Sequence, residues 1–245
     1  MQLTQLDAHT TAALRQWLAD DNLRESARLS AGYQGSTYLY EPLQGEHPPL
    51  VIKRAARGFL TGWFHSLMLR REARVYARMA AVDGVPHSPG FLDDEWLVLE
   101  YIDGEALTAK RFELTDADRF YGRLLKVLND FHAAGIAHGD LKRKDNVLVT
   151  SDEQPFVIDF GTAVMREGGL WDRLMFRLVR RFDYNAWIKV KYRNDYSAIS
   201  SVDRQWYRPT IVEAVFRTLR RFWRVVSGRK YRKRWRQTRL DKDNN

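Results

Sequence analysis

No cysteine occurs among the 245 residues. Disulfide staples and thiolate metal sites are therefore excluded, and the chain fits a reducing compartment. No apolar run is long enough to span a bilayer. The opening MQLTQLDAHT lacks a basic start followed by an apolar stretch, so no secretory signal is expected. The expectation is a cytoplasmic protein able to lie peripherally on the inner face of the membrane. Acidic residues are outnumbered, 31 against 40 Lys and Arg, giving a formal net charge of +9. Such a balance favours anionic partners: nucleotide, phosphorylated sugar, anionic lipid or nucleic acid. A composition of 44% hydrophobic, 29% charged and 13% aromatic residues belongs to a globular chain. Its length suits one sizeable core or two small lobes sharing a cleft.

Strand-like segments come first and helix-like ones later. Residues 6–23 have helical apolar spacing through Leu6, Leu14, Trp17 and Leu18. Residues 27–42 read as two strands about a turn holding Gly32 and Gly35, and LVIKRA (50–55) reads as a third. RGFLTGWF (57–64) is both basic and aromatic, and leads into a helix over 67–81 with Leu69, Ala73, Tyr76 and Met79 on one face. Phe91-Leu92 and residues 96–102 are two strands joined by Asp93-Asp94-Glu95. After Asp103-Gly104 the spacing predicts a helix over 116–134 that stops at Gly135. The strands NVLVT and PFVIDF follow, and residues 170–245 read as largely helical, basic and aromatic. The division expected is a sheet-rich lobe over 1–102 and a helical lobe over 103–245, with a cleft between.

The chemistry concentrates in His138-Gly139-Asp140-Leu141-Lys142, then Asn146, then Asp159-Phe160-Gly161. Phosphoryl transfer needs a proton acceptor, cations on the phosphates and oxygen ligands for those cations. Asp140 suits the acceptor, and Lys142 could neutralise charge on the transferred group. Asn146 and Asp159 suit magnesium, a hard ion that takes oxygen ligands. A lone DFG is usually a turn after a strand, and a lone HGD a loop; here two short strands frame both. Upstream, Lys53 in the strand VIK could clamp phosphates, fixed by Glu72 on the next helix, although Glu72 could instead pair with Arg70, Arg71 or Arg74. Gly32, Gly35 and Ser36 could bring backbone N–H groups to phosphate oxygens, against the plainer reading of a hairpin turn.

Taken in order, glycine turn, VIK, helix Glu, EYIDG, HGDLK, Asn and DFG resemble the protein-kinase-like superfamily over about residues 29–164. The HGD in place of an arginine-bearing loop, and the helix RREARVYARM, resemble small bacterial lipopolysaccharide-core and Rio-like kinases more than ordinary protein kinases. The resemblance implies an α+β, two-lobed fold with an antiparallel-sheet N-lobe and a helical C-lobe, ATP and magnesium as cofactors, and an adenine pocket along Glu100 to Ile102 between Val51 and Leu148. Three departures stand out. Asn146 lies six residues after Asp140 where five is usual, leaving Asp145 as an alternative magnesium ligand. No APE-like segment follows the DFG, which speaks against a peptide-docking segment. The glycine turn is one glycine short.

Beyond Pro209, Ile211, Val212, Val215, Phe216, Leu219, Phe222, Trp223 and Val226 form an apolar stripe beside crowded arginines, continued by GRKYRKRWRQTR. The plain reading is a helix with a solvated basic end; the sharper one is an interfacial segment for anionic membrane, which residues 57–70 could assist. The functional expectation is a kinase acting on a hydroxyl of a membrane glycolipid such as the lipopolysaccharide inner core. The alternatives are a protein Ser or Thr acceptor, a pseudokinase without turnover, and a basic module that binds nucleic acid or membrane. Lys53, Asp140 and Asp159, all present, speak against the pseudokinase.

Overall fold

The computed structural model describes residues 6–32, 35–42, 47–56 and 62–208. It falls into two units, 1–199 and 200–245. Within the second, the described part is a short 3-10 turn, Asp203–Trp206, opened by the Ser200 hydroxyl accepting from Asp203 N–H at 3.1 Å. The amphipathic stripe expected beyond Pro209 lies outside the described residues.

The first unit opens with two helices where one was expected. Helix α1 (Ala8–Ala19) starts at Asp7, whose carboxylate accepts from Thr10 N–H. Asp20 then takes an extended conformation and caps α2 (Asp21–Ser26) by accepting from Asn22 and Leu23 N–H. A short acid that bonds its own following backbone breaks the apolar period. Strands β1 (Arg28–Gly32), β2 (Gly35–Tyr40), β3 (Leu50–Ala55), β4 (Gly90–Leu92) and β5 (Trp96–Glu100) form one antiparallel sheet in the order β1-β2-β3-β5-β4. Leu14 and Leu18 of α1 pack with Tyr38, Tyr40, Leu50, Ile52, Leu92, Trp96 and Val98 into a core on one sheet face. Gly35 is obligatory here: a Cβ on it would stand 2.0 Å from the Arg54 carbonyl oxygen of β3.

Helix α3 (Gly62–Arg78) packs against β3, β4 and β5. It begins five residues earlier than its apolar period suggested, drawing in Trp63 and Phe64 of the basic-aromatic stretch, while 57–61 lie outside the described residues. Its buried positions are His65, Glu72, Val75 and Tyr76 rather than a purely apolar face. A carboxylate thus occupies the packed side, which requires a cation to meet it.

After residue 103 come β6 (Gly104–Ala106), α4 (Leu107–Lys110), α5 (Ala117–Ala133), β7 (Ile136–Ala137), β8 (Val147–Thr150), β9 (Pro155–Val157), β10 (Val164–Met165) and α6 (Leu170–Lys191). Asp116 caps α5 through Arg119 N–H, worth about 1 kcal/mol. The predicted α5 face of Phe120, Leu124, Val127, Leu128 and Phe131 is buried, joined by Tyr121 and His132. Strand β6 pairs β8, and β8 pairs β9. Strand β9 ends at Val157, so Ile158 and Asp159 leave the strand expected to hold them.

Candidate active site

A cavity of about 860 Å³ opens between the five-stranded sheet, β8 and the segment that follows β9. Its apolar lining includes Val51 of β3 and Leu148 of β8. Glu100, Tyr101 and Ile102 line one edge. That strip is held rigid: Glu100 N–H donates to the His87 carbonyl at 2.8 Å, Tyr101 N–H to the Pro49 carbonyl at 3.2 Å, and the Glu100 carboxylate accepts from His87 N–H at 3.0 Å. Gly35 and Ser36 also reach the lining. Gly32 faces Gly35 across the hairpin, while residues 33 and 34 at its tip lie outside the described residues.

At the polar end, Lys53 Nζ donates to Glu72 Oε1 at 2.7 Å and to Asp159 Oδ1 at 3.2 Å. One ammonium therefore joins β3, α3 and the segment after β9. Burial alone would push Lys53 toward neutrality, but the charges of Glu72 and Asp159 outweigh it and raise its pKa. Burial raises Asp159, yet Lys53 and the His138 and Gly161 contributions hold its carboxyl below the ordinary range. Asp159 has φ +64°, a left-handed conformation that an aspartate tolerates better than most side chains. The neighbouring Phe160 is fully buried, with its ring 5.4 Å from Tyr76, 5.8 Å from Phe131 and 4.7 Å from His138. Packing of Phe160 thus fixes the turn that presents Asp159 to the cavity.

The two readings of the second oxygen ligand separate clearly. Asn146 is buried, lines the cavity and donates from Nδ2 to the Asp140 carbonyl at 3.1 Å. Asp145 is exposed and accepts from the Thr108 hydroxyl at 2.5 Å, away from the cavity lining. A 3-10 turn, Lys144–Asn146, produces this: adjacent residues on it point in different directions. The magnesium expectation for Asp145 does not fit that placement.

Asp140 is half-buried and is not among the residues lining the cavity; its N–H donates to His138 Nδ1 at 3.2 Å. Arg143, a cavity-lining cation the sequence reading passed over, brings Nε to 3.8 Å from Asp140 Oδ2. Lys142 is exposed, with Nζ 5.2 Å from the Phe182 ring centre.

The largest omission from the sequence reading is Asp183 of α6. Fully buried, it accepts from Gly139 N–H at 2.8 Å on Oδ1, and from His138 N–H at 2.8 Å and His132 Nε2 at 3.0 Å on Oδ2. These bonds hold the loop before Asp140, where Gly139 sits at φ +82° with a would-be Cβ 3.2 Å from Val179 Cγ1. The reason a glycine stands there is local: space and left-handed backbone together. An aspartate among arginines gave no sequence signal, because its burial depends on how α6 docks. Arg71 was likewise legible only as a charge beside Glu72; its Nη1 donates to the Ala163 carbonyl at 2.5 Å, tying α3 to the segment after Gly161.

Lys53, Glu72, Asp159 and Asn146 thus line one cavity. Residues 63–182 match the family model described as the RIO domain. That match covers just under half of the chain, and the fold is protein-kinase-like. CBL-interacting protein kinase 15 of Oryza sativa subsp. japonica is 33% identical over 85 residues, 33% of this chain and 19% of its own. Serine/threonine-protein kinase PknH of Mycobacterium tuberculosis (strain ATCC 25618 / H37Rv) is 31% identical over 102 residues, 39% of this chain and 16% of its own. The matched region thus spans under a fifth of these relatives' length. The α+β, two-lobed kinase-like architecture is the one expected, with the antiparallel sheet preceding the helical part.

Among the described residues no three His, Cys, Asp or Glu side chains gather into a self-sufficient metal cage. Asp159 and Asn146 line the cavity together with Lys53, and their oxygens are of the kind that would hold a magnesium ion.

Proposed function

We propose that this protein is an ATP-dependent phosphotransferase with an alcohol hydroxyl as acceptor. The observation that carries the reading is the single Lys53 ammonium held between Glu72 and Asp159 at the end of an apolar slot. Lys53 binds nucleotide phosphates, and Glu72 keeps its ammonium aimed into the cavity. Asp159 and Asn146 would hold magnesium, which would supply neutralising charge for the phosphates. The Glu100–Ile102 backbone orients the adenine. Asp140 accepts the hydroxyl proton as the phosphoryl group transfers. Arg143 and Lys142 offset the negative charge that develops at the rim.

For the acceptor, we propose a sugar hydroxyl of a lipopolysaccharide-core glycolipid. In support, only eight residues separate Gly161 from α6, too few for an extended peptide-docking segment. The names of the relatives favour a second reading, a protein Ser or Thr acceptor. One experiment covers both: purified protein with magnesium and labelled ATP is offered core glycolipid, casein or neither. Label on the glycolipid that disappears with Asp140→Ala supports the first reading, and label on casein alone supports the second. No magnesium-dependent ATP turnover in any arm refutes the phosphotransferase.

A further inference from the structure

Helix α6 is amphipathic twice. Its inward side carries Phe176 and Asp183, both buried, and Val179 against the catalytic loop. On nearly the opposite side, at helical spacing, stand Leu170, Trp171 and Leu174, exposed to 85%, 71% and 50%, with Leu178 following half-buried. A helix in a soluble fold ordinarily turns one apolar stripe inward and polar groups outward. Here a second apolar stripe faces out at the helix's free end.

The charges around it have one sign. Arg173, Arg177, Arg180 and Arg181 lie on the same helix, against Asp172 as the one acid between Leu170 and Phe182. Asp172 falls on the inward half, beside Gly169. Stacking this face on a second copy would set arginine against arginine. An exposed Trp and leucines bordered by arginines match the interface of an anionic bilayer, where rings and aliphatic chains enter the acyl boundary and guanidinium groups meet headgroup phosphates.

We propose that the first three turns of α6 form a docking face for an anionic lipid bilayer. The other side of the same helix supports the catalytic loop: Val179 packs against Gly139, and Phe182 lies under Lys142. The lipid contact stands apart from the phosphotransferase reading. Among the described residues no helix is long and apolar enough to cross a membrane, so the contact is a surface one. It adds to any contribution from residues 209–245.

The test is co-sedimentation of the full chain with vesicles of phosphatidylcholine containing 30% phosphatidylglycerol, beside pure phosphatidylcholine, at low and physiological salt. The wild type should bind the anionic vesicles preferentially. Trp171→Ser with Leu174→Ser should weaken binding about tenfold or more, and Arg173→Gln with Arg177→Gln by a smaller, salt-dependent factor. Melting curves with and without Mg–ATP, unchanged in these variants, exclude misfolding. Vesicle binding equal to wild type in the Trp171/Leu174 variant overturns the proposal, as does binding that is indifferent to lipid charge. Competition by RNA at lower concentration than by anionic vesicles would also overturn it. A loss of vesicle binding with no Mg–ATP response in any protein would sustain the docking face while removing the nucleotide reading.

Discussion

Replacing Asp183 with asparagine tests the anchor beneath the catalytic loop. The wild-type carboxylate is fully buried and takes three donors: Gly139 N–H on Oδ1, and His138 N–H and His132 Nε2–H on Oδ2. Asparagine is nearly isosteric, so packing is preserved. Its one carbonyl oxygen can keep the two donors at Oδ2. Its NH₂ then meets Gly139 N–H, donor against donor, leaving a buried group unsatisfied at a cost of about 1–3 kcal/mol. The two surviving bonds fall from charge-assisted to neutral strength, losing on the order of 1 kcal/mol each. Removal of a buried charge returns part of this, since its desolvation is no longer borne. The net expectation is about 2–4 kcal/mol, or roughly 5–15 °C in melting temperature for a domain of this size. Differential scanning fluorimetry at pH 7.5 measures it. ATP turnover should fall at least about tenfold, because Gly139 and Asp140 lose their fixed backbone. A melting temperature within about 2 °C of wild type, with turnover intact, would refute the anchoring argument.

The same cluster sets a pH dependence. Burial lowers the His132 pKa, with Arg180 and His138 adding to it, against the opposing pull of Asp183. Folded His132 thus resists a proton that the unfolded chain accepts below about 6.5, so stability is full above that pH and declines as pH falls. His132→Asn should flatten the melting profile between pH 7 and 5; an unchanged slope would contradict the assignment. A double-mutant cycle with Lys53→Met and Glu72→Gln should give a coupling of about 1–3 kcal/mol in stability, and additivity would mean the pair is not mutually stabilising. Asp140→Ala should cut ATP turnover by on the order of a hundredfold or more while retaining the Mg–ATP thermal shift; undiminished turnover removes Asp140 from the mechanism. Gly35→Ala, forced to within 2.0 Å of the Arg54 carbonyl, should destabilise by at least about 2 kcal/mol, whereas Gly122→Ala, in open space on α5, should stabilise by roughly 0.5–1 kcal/mol. Equal melting temperatures for those two variants would refute the close-approach reading of Gly35.

Local chemistry determined much of this protein from the chain alone. LVIKRA placed β3 at Leu50–Ala55, and the period of Phe120, Leu124, Leu128 and Phe131 placed α5. Those signals work because a strand or helix buries one face at a fixed period. The order of Lys53, Glu72, Asp140, Asn146 and Asp159 likewise pointed to phosphate chemistry. Only the tertiary structure decided the rest. Whether Asn146 or Asp145 faces the cavity turns on a single 3-10 turn, and the burial of Asp183 turns on how α6 crosses behind the loop. The outward stripe of Leu170, Trp171 and Leu174 looked like any helical apolar pattern in sequence, since periodicity records that a face exists and not whether another element covers it.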